Sequence, residues 1–270
     1  MPAPARVAIV TGASAGIGKS CADRLATAGW AVTGASRRGT SGSDWAGVAM
    51  DVDDDAAVQT GIADVISEHG RIDALVAAAG WGIAGAAECT GVAAAKAQFE
   101  TNFWGCVRAV QAVLPQMRAQ RTGRIVLIGS IGGAIGIPFQ AYYSASKFAL
   151  EGFAESMAYE VAPFGVHVTI VQPGNVATDF TASRQFADGG AAAAAYADAM
   201  TRAVTLMERD EANGAPPPAV AATVLRVLDA RRPPRRVSVG KAGERVGLVA
   251  KRLLPFRVFE AAARHSLGVG

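Results

Sequence analysis

Short, unbroken apolar runs alternate along this chain with longer segments whose apolar residues recur every three or four positions. Residues 6–11 form the first run, and the glycine-rich turn after it opens a helical pattern lasting to residue 28. Gly29 ends that helix, and residues 31–36 make the next strand. Residues 47–51 are a third. Asp53, Asp54 and Asp55 then offer caps and favourable charge to the start of a helix that ends near His69 and Gly70. Further strands are expected over residues 73–78 and 124–130, separated by helical segments between 92 and 120. A helix over residues 143–162 stops near Pro163-Phe164-Gly165, residues 167–172 form a strand, and Pro173-Gly174 turns the chain.

This alternation calls for parallel strands joined by helical crossovers, with helices on both faces of the sheet. Strands covered on both sides are apolar at every position, and Ile125-Val-Leu-Ile128 is. The expected fold is a doubly wound parallel α/β sheet, one domain over residues 1–270. The pattern changes after Thr178. Residues 181–214 contain the alanine run 191–195 and no strand candidate, and read as a helical insertion. Pro216-Pro-Pro218 begins a helix reaching about residue 230, and residues 236–239 form a last strand.

With 51% hydrophobic and 18% charged residues, the chain can bury a substantial core, which excludes a disordered or collagen-like protein. The net charge of +3 is unevenly spread. Residues 226–270 hold 11 basic and 3 acidic side chains, whereas residues 1–225 hold 15 and 20. The body therefore lacks the basic surface of a nucleic-acid binder. Cys21, Cys89 and Cys106 are widely spaced and read as small buried side chains in a reducing compartment. His69, His167 and His265 stand far apart and predict no metal site. Residues 1–5 lead directly into a strand pattern and no apolar run is long enough to span a bilayer, so a cytoplasmic protein is expected.

Gly12, Gly16 and Gly18, in Thr11-Gly-Ala-Ser-Ala-Gly-Ile-Gly18, stand where the first strand gives way to the first helix. There Gly12 permits a tight turn, Gly16 lets backbone approach a pyrophosphate, and Gly18 allows close helix packing. The helix start adds free N–H groups and a positive dipole end. A glycine trio alone also serves simple turns; after the first strand of an alternating chain it points to a nucleotide. The spacing resembles that of the short-chain dehydrogenase/reductase family, Thr-Gly-x-x-x-Gly-x-Gly. The resemblance runs from residue 6 to about 180, and more loosely to about 240. It implies a Rossmann-like fold and a nicotinamide cofactor held by Gly12, Ser14, Gly16, Ile17 and Gly18.

A carboxylate at the end of the second strand would bond the cofactor's ribose hydroxyls, whereas a cation would take a 2′-phosphate. This chain has Ser36-Arg37-Arg38 there and no acid. The Arg37 fork and the Ser36 hydroxyl, with Arg38 beside them, fit NADP(H) better than NAD(H); two arginines in a solvated loop are the alternative. Asp51-Val52 resembles the family's adenine-contacting pair, with a capping role for Asp51 as its competitor. Ala77-Ala-Ala-Gly80 matches a segment that commonly begins with asparagine. The resemblance puts Ala79 and Gly80 beside the cofactor, while the missing amide removes a local support.

Tyr143 and Lys147 are four apart, hence on one helix face about one turn from each other. A nearby ammonium is expected to bring the phenol down from its ordinary value of about 10. Ser130 closes the preceding strand, at the edge where open α/β sheets hold their ligands. Ser130, Tyr143 and Lys147 match the family's triad residue by residue. Asn102 matches the asparagine that there positions a water in a proton relay with the lysine; a satisfied polar group inside a helix is its other reading. Pro173, Gly174, Val176 and Thr178 resemble the segment beside the nicotinamide. The implied reaction is hydride transfer between NADPH and a ketone or aldehyde, with Tyr143 donating the proton, Ser130 bonding the carbonyl oxygen and Lys147 supporting tyrosine and cofactor.

Trp81, Phe139, Tyr142, Phe180 and Phe186 are the expected pocket residues, with the 181–214 insertion resembling the family's mobile lid. Their apolar, aromatic character suits a lipophilic or ring-containing carbonyl compound. Residues 102–180 look like members acting on steroid, retinoid or similar substrates, polyketide-like ones included. The tail, residues 241–270, is basic and amphipathic. Its apolar face is expected on the protein with its charges in water, in preference to contact with an anionic membrane; covering the pocket or a subunit contact is a further alternative. The helices near 102–119 and 143–162 resemble those that pair subunits, so a homodimer or homotetramer is expected. The competing function is a non-catalytic dinucleotide-binding regulator or scaffold, which would not need Ser130, Tyr143 and Lys147 together.

Overall fold

The first strand, β1 (Val7–Thr11), is buried at every position and divides the interior in two. Its alternate side chains enter opposite clusters: Val7 and Ile9 one, Ala8 and Val10 the other. A computed structural model describes residues 5–187, 189 and 192–269. β1 lies beside β2 (Ala31–Ser36) and β4 (Ala74–Ala77), and β3 (Ala46–Ala49) flanks β2. On the other side follow β6 (Gly123–Ile128), β7 (Val166–Pro173) and β9 (Arg236–Val239). The order is β3-β2-β1-β4-β6-β7-β9, with every pairing parallel. The doubly wound sheet expected from the alternation is thus the observed one.

Helices α2 (Asp55–His69), α4 (Gly105–Gln120) and α5 (Ala141–Val161) contribute to the cluster of Val7 and Ile9, and α1 (Gly16–Thr27) and α7 (Pro217–Asp229) to the other. The α2 cap is Asp54, which accepts from Ala57 N at 3.0 Å, and Gly70 closes the helix at φ +67°. Before α4, α3 (Val92–Phe99) runs into a π-helical turn, Glu100–Trp104.

The insertion departs from the strand-free reading. Within it, β8 (Gln185–Phe186) pairs in parallel with β5 (Ile83–Ala84). Two residues leave no periodic trace in a sequence, which is why the strand was invisible there. The remainder is α6 (Ala193–Ala212); the alanine run expected over 191–195 begins at a position outside the described residues. The tail folds as α8 (Ala242–Leu253) and α9 (Phe256–Ser266), joined through Leu254 and Pro255. Among the described residues no helix is long and apolar enough to cross a membrane.

Candidate active site

The sheet order reverses between β1 and β4, and their carboxyl ends open a crevice of the kind in which doubly wound sheets bind ligands. Gly12 takes φ +69°, and a Cβ there would stand 2.8 Å from Ala79 N. A Cβ on Gly18 would lie 2.3 Å from Gly12 O, so only glycine lets α1 start this close to the strand. The N-terminus of α1 has no side-chain cap and no acidic residue in its first turn. Its orphan N–H groups face the crevice, a cradle suited to a pyrophosphate. Ser14, Gly16 and Ile17 line it, as do Ser36, Arg37, Asp51, Val52, Ala79, Gly80, Pro173, Gly174, Val176 and Thr178. Asp51 is not the helix cap, a place taken by Asp54; its carboxylate accepts from Asp53 N at 3.2 Å, and the residue lines the crevice. Arg38 is exposed and not among the lining residues, beyond the mouth that Arg37 reaches. Among the described residues, no three of His, Cys, Asp and Glu group as metal ligands.

Ser130 follows β6 and caps a short helical turn, its hydroxyl accepting from Gly132 N at 3.0 Å. Tyr143 and Lys147, on the first turns of α5, line the same cavity. The Lys147 ammonium is buried, donates to Ile128 O at 2.9 Å and lies 5.8 Å from the Tyr143 ring centroid. Burial pushes Lys147 down to about 8. Tyr143, however, is not drawn down as the four-residue spacing suggested. Burial raises its phenol above the ordinary value; hydrogen bonding by Ser130 opposes that, the Glu211 carboxylate adds to it, and Arg184 offsets it in part. Desolvation of the phenolate comes first among these causes, and Lys147, which burial pushes towards neutrality, is not one of them.

Asn102 sits in the π-helical turn, the kind of insertion often found at functional sites. Its side chain is fully engaged: Oδ1 accepts from Trp81 N at 2.9 Å, and Nδ2 donates to Trp81 O at 3.0 Å and Ser146 Oγ at 3.2 Å. It braces the loop that carries Gly80 and Trp81. Residues 77–80, which lack the family's amide, are supported by Thr11, whose hydroxyl accepts from Ala78 N at 3.1 Å and Ala79 N at 3.3 Å.

The substrate end of the cavity is walled by Trp81 and by Phe180, whose ring meets Tyr143 edge-on at 5.7 Å. Three expected wall residues are elsewhere. Phe139 adopts φ +58° and uses its carbonyl to accept from Gly85 N, leaving the wall to Ile137, Pro138 and Gln140. Tyr142 points aside and donates to Ala87 O at 3.2 Å. Phe186 is exposed on β8. The missing wall comes from Leu206 and Met207 of α6 and from Val246, Ala250, Leu254 and Phe259 of the tail, which roofs the cavity of about 1080 Å³.

Residues 6–188 match the family model described as short chain dehydrogenase. The chain is a short-chain dehydrogenase/reductase. A relative from Bacteroides thetaiotaomicron named 3-ketodihydrosphingosine reductase is 38% identical over 260 residues, 96% of this chain and 97% of that one. Estradiol 17-beta-dehydrogenase 1 of Rattus norvegicus is 36% identical over 213 residues, 73% of this chain and 61% of that one. A solved short-chain dehydrogenase from Streptomyces avermitilis superposes with a TM-score of 0.82 at 32% identity, covering 97% and 98% of the two chains. This short-chain dehydrogenase/reductase is accordingly an oxidoreductase acting on CH–OH and C=O groups.

Sequence reasoning missed a buried latch within the 181–214 insertion. The Arg184 side chain is wholly buried and donates to Glu211, which also accepts from the Thr181 hydroxyl. The pair is separated by 27 positions and carries no motif. Both members act on the Tyr143 phenol, Glu211 raising it and Arg184 lowering it.

Proposed function

We propose that this oxidoreductase uses NADPH to reduce a long-chain ketone of the 3-ketodihydrosphingosine type to the alcohol. The carrying observation is that likeness to the 3-ketodihydrosphingosine reductase runs through the tail, the segment that roofs the cavity. Leu206, Met207, Val246, Leu254 and Phe259 give an aliphatic chain an apolar lining. Arg37 lines the adenosine end, has no salt-bridge partner among the described residues and suits a 2′-phosphate. A steroid or retinoid ketone is the second reading, favoured by the likeness to the estradiol dehydrogenase.

When bound, the nicotinamide supplies the hydride that reaches the carbonyl carbon. Ser130 hydrogen-bonds the carbonyl oxygen as negative charge gathers on it. Tyr143 gives that oxygen its proton. The raised phenol stays protonated at neutral pH, the state that reduction requires. Lys147, near 8, takes up and passes on a proton within the working range, through a water beside Asn102, and restores the phenol. The proposal includes a cytoplasmic homodimer or homotetramer joined along α4 and α5. NADPH oxidation followed with 3-ketodihydrosphingosine, a steroid ketone and retinal tests it. Turnover is expected with the first; turnover confined to the others, or equal rates with NADH, removes the substrate or cofactor assignment.

A further inference from the structure

The tail does more than roof the cavity. Neither α8 nor α9 buries a residue, although both are amphipathic. In α8, Gly243, Gly247 and Ala250 line the cavity, while Val249 and Leu253 point into solvent. At the corner between the helices four consecutive apolar residues, Leu253-Leu254-Pro255-Phe256, are exposed, Leu253 by 76% and Phe256 by 72%. A run of that kind on a surface has a function or is a liability. It is bracketed by Arg252 and Arg257, with Arg245 and Arg264 also exposed on the two helices.

Charge agrees with this. Residues 241–269 carry six basic and two acidic side chains, whereas the rest of the chain carries 20 and 21. One of the two acids is already engaged: Glu244 accepts from Asn175 N at 3.0 Å, Asn175 Nδ2 at 2.8 Å and Lys241 N at 2.8 Å, pinning the start of α8. What faces outward is an apolar tip with exposed arginines on both helices that meet there. Leu254 belongs both to the exposed tip and to the cavity wall, so the apolar surface runs without a break from the outside to the cavity.

We propose that this corner docks on an anionic lipid bilayer, with Leu253, Leu254 and Phe256 in the acyl boundary and Arg245, Arg252, Arg257 and Arg264 at the phosphates. An apolar tip alone would suit a second copy of the chain, but arginines that would face their like across such a contact favour anionic headgroups. The placement opens the cavity beside the membrane.

Flotation of the full chain with phosphatidylcholine vesicles, with and without phosphatidylglycerol, tests the inference. Co-flotation is expected with the anionic vesicles and at least about tenfold less with the neutral ones. The triple variant Val249→Ser, Leu253→Ser, Phe256→Ser and the double variant Arg252→Glu, Arg257→Glu should each lose it. Both should still oxidise NADPH with a short water-soluble ketone, which separates this test from that of the reaction. No binding to anionic vesicles, or unchanged binding by the variants, overturns the proposal. So does a wild-type dimer that the triple variant dissolves into monomers without any vesicle binding, which would assign the tip to a second copy.

Discussion

Burial drives the two titrating groups of the site in opposite directions, the Tyr143 phenol up and the Lys147 ammonium down to about 8, and so brings both nearer to neutrality. For Lys147 this is also a statement about stability. Between about 8 and its ordinary 10.5 the unfolded chain holds a proton that the folded one has released, so stability rises with pH across that window. Below it the buried ammonium costs the fold on the order of 3 kcal/mol. Lys147→Met is therefore expected to abolish turnover yet unfold at higher urea than the wild type at neutral pH, with the gap narrowing towards pH 10.5. A gap of constant size would contradict the assignment. Arg37→Ala is expected to weaken NADPH by about 10- to 100-fold, the worth of a charged hydrogen bond, and NADH hardly at all; equal losses in titrations with the two would take the 2′-phosphate away from Arg37. The Tyr143–Lys147 pair and the glycines were legible in the sequence because four-residue spacing and a strand-to-helix turn are local. The direction of the Tyr143 shift was not, because it depends on how much protein surrounds the phenol.

Elements that meet far apart in sequence account for the rest of what was hidden. Arg184 leads into β8, and Glu211 is on α6 and lines the cavity. Glu211→Gln would leave the buried guanidinium only the Glu208 carboxylate, 3.8 Å away, and is expected to cost about 3 kcal/mol. The double variant Arg184→Met, Glu211→Leu should recover much of that in thermal unfolding. An unchanged melting temperature in the single variant would show that the latch holds nothing. All seven strands of the main sheet and helices α1, α2, α4, α5 and α7 fall on apolar runs and helical patterns that the sequence displays openly. By contrast, the β5–β8 pair is too short for periodicity, and the π-helical turn around Asn102 is one residue of excess winding in an otherwise helical pattern. Phe139, Tyr142 and Phe186 were misplaced for a related reason: aromatic character marks a candidate wall, but backbone conformation decides where the ring points.

At the scale of the whole molecule, the parallel sheet puts the carboxyl ends of β1, β4, β6 and β7 on one edge, where the glycine-rich turn, Ser130, Tyr143, Lys147 and residues of the 181–214 insertion line one cavity. The tail was readable as basic and amphipathic, but the apolar face expected on the protein is turned to it only in part, through residues such as Gly247, Ala250 and Phe259 that line the cavity. Only the fold shows that part of its apolar surface is left over, facing out at the corner. On the proposed reaction all of this serves one event, the transfer of a proton from Tyr143 to a carbonyl oxygen as hydride reaches the carbon. Single-turnover oxidation of bound NADPH by 3-ketodihydrosphingosine, compared between the wild type and Tyr143→Phe, measures that event directly. The rate is expected to fall by about 10²- to 10⁴-fold with NADPH affinity unchanged; an undiminished rate in the variant would contradict the account.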